Sequence, residues 1–153
     1  MHPDKVVTWT KAASALVIGF GILSVLAAHP ASSGLFQILI DMIFWPLDGA
    51  ESLSAPATRL MSAIGGGLMV GWGLMLSMVA TRLYPREPDL ARMMILTSIG
   101  AWFVVDSAGS IAAGAPLNAL FNFVFLLMFV GPLWRTSRQA AVGNSQDKPG
   151  RPT

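Results

Sequence analysis

The chain has 153 residues, of which 54% are hydrophobic and only 12% charged, with a formal net charge of +2 and no cysteine. A soluble domain carries about a quarter charged residues, so this composition is that of an integral membrane protein, with room for one compact bundle but not for a separate soluble catalytic domain. The lack of cysteine excludes disulfides, thiolate metal ligands and cysteine nucleophiles. No basic patch interleaved with aromatics supports nucleic-acid binding.

A polar lead with Lys5 and Lys11 precedes Ala12 to Ala28, an apolar run closed by His29-Pro30. Extended back through Trp9 it reaches about 20 residues, which suits a spanning helix better than the shorter core of a cleaved signal. The first span is therefore placed at 9–28, with Trp9 at an interface. Leu35 to Trp45 follows, apolar except for Gln37 and Asp41, which share one helical face by their spacing of four. Pro46 and Leu47-Asp48-Gly49 end it. A helix over 35–46 is too short to cross, and is expected to lie on or re-enter the outer leaflet with its apolar side down. A fifth, broken crossing is the alternative.

The second span is expected at 59–80. Ala63, Gly67 and Gly71 form a small-xxx-small series, and are predicted to be the strip along which a neighbouring helix packs. The connector from Thr81 to Arg92 contains two prolines that interrupt any helix. The third span, 93–114, is joined to the fourth, 117–134, through a turn so short that the two must form an antiparallel hairpin, with Pro116 suited to a first helical turn. Residues 1–134 make one membrane domain, and 135–153 read as a polar, disordered cytoplasmic tail. The expected fold class is all-α, a four-helix membrane bundle with a short outer helix. Nine of the ten Lys and Arg fall in the lead, the middle connector and the tail, Arg59 being the exception. This places both termini in the cytoplasm.

One carboxylate, Asp106, falls inside the third span. Such a charge costs about 2.5–3.5 kcal/mol on insertion scales and must face partners or water. Eight residues before Gly114, it lies about 12 Å below the turn by helix rise. Its expected partners are Arg59 at the mouth of the second span, Ser110 one turn along, and Asn118 and Asn122 on one face of the fourth span, with Ser98 and Ser107 adding hydroxyls. The 35–48 segment, with Asp41, Asp48 and Glu51, is expected to roof this cluster. A metal site of His29 with these acids lacks ligand spacing, so no metal is assigned. No histidine inside a span supports haem, and neither hydrolase nor nucleotide motifs occur, so no catalytic residue or cofactor is assigned.

Four spans, an arginine opening the second, and the glycine-rich run RLMSAIGGGLMVGWG from Arg59 to Gly73 resemble the small four-helix bacterial inner-membrane proteins loosely grouped with DoxX-like families. The resemblance implies a four-helix bundle, an accessory role beside an oxidoreductase system, and no transferred catalytic residue. The expected function is a non-enzymatic inner-membrane accessory or interaction protein, in contact with lipid and with a membrane partner or second copy. The alternative is a small transporter or ligand-binding protein that uses the Asp106 cluster.

Overall fold

The computed structural model describes the backbone of residues 3–146 and the side chains of residues 3–134. Those residues are helical apart from turns and one loop. The helices are α1 (Pro3–Leu26), α2 (Gly34–Phe44), α3 (Pro56–Met78), α4 (Pro88–Ala112) and α5 (Pro116–Gln146). A 3-10 turn at Pro30–Ser32 links α1 to α2, and a π-helical segment at Val79–Leu83 extends α3. Four segments are long and apolar enough to cross a membrane: Pro3–Leu26, Pro56–Leu83, Pro88–Ala112 and Pro116–Trp134. Each starts on a proline, ahead of the apolar residues that mark it in the sequence. Proline lacks an amide hydrogen that the first helical turn does not use, and its φ is already helical.

The expected tail is where backbone and composition part most clearly. Helix α5 does not end at Trp134 but continues to Gln146 with Pro132 inside it. Arg, Gln and Ala are good helix formers, and extending a helix already nucleated costs far less than starting one. Residues 147–153, the rest of the predicted tail, lie outside those described. Pro132 has no N–H for the carbonyl of Met128, four residues back, and the indole Nε1 of Trp9 donates to that oxygen at 2.7 Å. Trp9 thus ties α1 to α5 where the helix ladder is broken.

The bundle is two antiparallel pairs. Helices α4 and α5 pair through a turn whose hydrogen bonds, Ala115 N–H to the Ser110 carbonyl at 2.9 Å and Gly114 N–H to Ile111 at 3.1 Å, cap α4, with Gly114 at φ +82°. This is the glycine C-cap that satisfies otherwise orphaned carbonyls, and Pro116 opens α5 two residues later. Helices α1 and α3 pair along a different glycine strip from the one the sequence suggests. A Cβ at Gly66 would run into the carbonyl oxygen of Gly21, one at Gly21 would come within 2.7 Å of the Gly66 carbonyl, and one at Gly73 within 3.0 Å of the Ser14 carbonyl. Ser24 Oγ adds a hydrogen bond to the Ser62 carbonyl at 2.8 Å. Gly67 and Gly71 are exposed with no atoms near their missing Cβ positions, and Ala63 is half-buried. The predicted packing role of Ala63, Gly67 and Gly71 inside the bundle is therefore corrected to Gly66 and Gly73. One residue along a helix is about 100° of rotation, so the neighbouring glycine turns away from α1.

Helix α1 also packs on α5. The main core, Val6, Val17, Leu76, Ile95, Ile99, Phe129 and Leu133 among others, fills the end of the bundle near the 84–87 connector. A smaller cluster of Ala27, Phe36 and Leu53 seats α2 at the opposite end. Gly66→Ala is expected to destabilise the purified protein by about 1–3 kcal/mol, because its new methyl meets backbone. Gly71→Ala should leave stability unchanged or raise it by up to about 1 kcal/mol through helix propensity. Thermal unfolding of both variants in one detergent checks the difference in sign.

Candidate functional site

Asp106 sits on α4 facing α5, and the hairpin register brings two asparagines of α5 to it. Asn122 Nδ2 donates to Asp106 Oδ2 at 2.5 Å and Asn118 Nδ2 to the same oxygen at 3.1 Å. Each amide then spends its second hydrogen on a serine of α4: Asn118 on Ser110 Oγ at 2.8 Å, Asn122 on Ser107 Oγ at 3.2 Å. Ser110 Oγ donates in turn to the Asp106 carbonyl at 2.7 Å. An amide nitrogen has two hydrogens and a carboxylate none, so all four amide hydrogens of Asn118 and Asn122 are used within the cluster. Spacing explains the match: Asp106 and Ser110 are one turn apart on α4, Asn118 and Asn122 one turn apart on α5. Asn122 is buried, with 4% of its surface exposed, and Ser107 with 8%.

The acceptors are not all used. Among the described residues no donor reaches Asp106 Oδ1 or the Oδ1 atoms of Asn118 and Asn122, three residues that line one hollow. They border a cavity of about 340 Å³ enclosed by all five helices and lined mainly by Val17, Phe20, Leu39, Met69, Trp72, Ile99, Trp102, Phe125 and Phe129. Four of its rings form a continuous arc: Trp72 and Trp102 at 5.6 Å, Trp102 and Phe125 at 6.4 Å, and Phe125 and Phe20 at 6.3 Å between centroids. A second recess, about 470 Å³ and lined mainly by α2 and α4, shares Phe20, Leu39, Ile43, Asp106 and Asn118 with the first.

The structure thus brings together Asp106, Ser107, Ser110, Asn118 and Asn122, and leaves out Arg59 and Ser98. Arg59 makes no side-chain hydrogen bond or ion pair among the described residues. It stands seven residues before Gly66, hence on the side of α3 that faces α1 rather than α4. Ser98 accepts instead from Trp72 Nε1 at 2.8 Å, a link from α3 to α4. The aromatic arc and the cavity were not foreseen. Trp72 and Trp102 are plain apolar residues in the sequence, and nothing local pairs them.

No known protein family, curated protein or solved structure matches the chain. The site has to be read from its own chemistry.

Helix α2 covers the cavity with Leu39, Met42 and Ile43, which is the roof expected from the sequence. Its acids do not join the Asp106 cluster. Asp41, only 7% exposed, accepts from Gly49 N–H through both carboxylate oxygens, at 3.0 and 3.1 Å. Gln37 Nε2 donates to the Glu51 carbonyl at 3.4 Å. The polar face of α2 thus holds the 45–55 loop, while its apolar face lies over the cavity. The His29 ring caps the 3-10 turn, its Nδ1 accepting from Ala31 N–H at 3.2 Å. Carboxylate oxygens of Asp41, Asp48 and Glu51 lie within 4.8 Å of one another.

That proximity acts on Glu51. Desolvation and a hydrogen bond to Asp41, with lesser help from the charges of Asp41 and Asp48, hold its carboxyl above the ordinary 4.5 against the opposing effect of its own backbone amide. A folded-state value above the unfolded one means the folded chain binds the proton more tightly. This contribution to stability is complete below pH 4.5 and is lost as pH rises through the raised value. The apparent melting temperature of the wild type should fall over that window. In Glu51→Gln, which cannot titrate, the fall should be smaller when both are scanned by thermal unfolding across pH.

Proposed function

We propose that this is a multi-pass membrane protein that holds a small, largely apolar molecule in the cavity between its helices, with the molecule's polar end at Asp106. The observation that carries this reading is the cavity itself. Its volume of about 340 Å³ falls in the range of ligand sites, which are apolar hollows with a few convergent polar groups. An ionisable residue in a span that opens on such a hollow is a functional candidate by its insertion cost alone. The distribution of Lys and Arg supports a bacterial inner-membrane orientation with both termini cytoplasmic, so that α2 and the mouth beside it face outward.

The test is occupancy. Native mass spectrometry of the full chain, released from mild detergent, should show a bound small molecule or a ligand-dependent rise in melting temperature. Leu39→Trp puts a larger side chain from α2 into both recesses and should abolish either signal while the protein still folds. Unchanged occupancy in Leu39→Trp would sink the reading.

A second reading, an accessory protein that docks a partner helix, is supported by one observation: the face bearing Ala63, Gly67 and Gly71 is unused inside the bundle. Bare backbone on the outside of an apolar helix allows close approach by another helix. Light scattering in detergent should then give a mass above that of one chain, reduced to a single copy by Gly67→Leu; a monomeric wild type that purifies without a partner argues against it.

A further inference from the structure

The cavity's polar end has a definite sense, and we infer from it that the ligand is an amphiphilic amine in its ammonium form, with its nitrogen at Asp106 and its apolar body along the aromatic arc. This rests on the ligand-binding reading above and specifies the chemistry of the same site.

The first support is the balance of donors and acceptors. Asn118 and Asn122 spend all their amide hydrogens on Asp106 Oδ2, Ser107 and Ser110. What remains without a donor among the described residues is acceptor only: Asp106 Oδ1 and the two asparagine carbonyl oxygens, on three residues that line the cavity. A buried acceptor without a donor carries a desolvation cost, and a carboxylate without a cation carries more. A ligand relieves both if it brings several N–H donors and a positive charge, and an ammonium group has three such donors. A carboxylate, phosphate or carbonyl ligand would instead meet three oxygens.

The second support is that no cation of the described residues pairs with Asp106. Arg59, seven residues before Gly66, stands on the face of α3 that packs on α1, and among the described residues Asp106 has no ion-pair partner. The third is the wall. Phe20, Phe125, Trp102 and Trp72 all border the cavity that Asp106 borders. Aromatic faces attract a cation as well as bury an apolar body, so the same lining serves both ends of the molecule. A bare metal ion would leave most of the 340 Å³ unfilled and would find too few oxygen ligands.

The experiment compares 4-phenylbutylamine, protonated at neutral pH, with 4-phenylbutan-1-ol, its neutral counterpart of the same length. Both are titrated into the full chain in a non-ionic detergent and followed by tryptophan fluorescence, since Trp72 and Trp102 line the cavity. The amine is expected to bind at least about tenfold more tightly than the alcohol, as loss of a close charge pair in a low-dielectric site implies. Asp106→Asn should remove that preference, and Leu39→Trp should abolish binding of both. Equal affinities of the wild type for amine and alcohol overturn the inference and leave the cavity reading standing. So does an Asp106→Asn variant that folds and keeps the preference. Binding of neither probe overturns the inference and counts against the cavity reading as well. If Asp106→Asn does not fold, the wild-type preference decides, with 0.5 M salt added to show by its persistence that the charge is read inside the protein rather than at the micelle surface.

Discussion

A carboxylate within an apolar span has to be solvated by the protein, and the Asp106 side of this molecule follows from that demand. The donors come from the next helix, Asn118 and Asn122, and they reach Asp106 because the Ala113–Ala115 turn is too short to allow any pairing of α4 and α5 other than the antiparallel one. The serines complete the arrangement by taking the second hydrogen of each amide. Hydrogen bonds between membrane helices are individually weak, about 0.6 kcal/mol on average. Their joint effect is directional: both bonds that reach Asp106 end on Oδ2, which leaves Oδ1 without a donor among the described residues.

The opposite wall is set by a constraint of a different kind. Helices α1 and α3 approach until backbone meets backbone at Gly21 and Gly66, a contact that only residues without side chains permit. This commits α3 to α1 and leaves its other flank to reach α4 through long side chains, the Trp72 indole donating to Ser98 and stacking near Trp102. Helix pairs that close on glycine and helix pairs that meet through tryptophan cannot have equal spacing. The cavity is the space left by that inequality, and its aromatic lining is the material that bridges it.

Helix α2 links this interior to the surface. It is too short to cross a membrane and uses its two faces for different work, with Leu39, Met42 and Ile43 over the cavity and Gln37 and Asp41 gripping the 45–55 loop. The acids around Glu51 belong to that grip and not to the Asp106 cluster. Protonation of Glu51 therefore acts on the cover rather than on the site beneath it.

The sequence by itself determined the all-helical class, the four long apolar segments, the short fifth helix with Gln37 and Asp41 on one face, the tight hairpin, and the cluster of Asp106 with Ser110, Asn118 and Asn122. These are legible because they depend on distances along one helix or across one short turn, where rise and periodicity leave little freedom. Tertiary structure alone decided the rest. Which glycines carry the packing, Gly66 and Gly73 rather than Gly67 and Gly71, depends on the rotation of α3 about its axis, which small residues on several faces do not specify. The same rotation puts Arg59 on the α1 side of α3, away from Asp106. The continuation of α5 past Trp134 and the pairing of Trp9 with the Met128 carbonyl depend on what a helix does around an internal proline. The cavity has no signal in the chain, because it is a gap between helices far apart in sequence, and apolar residues that line a hollow read the same as those that fill a core.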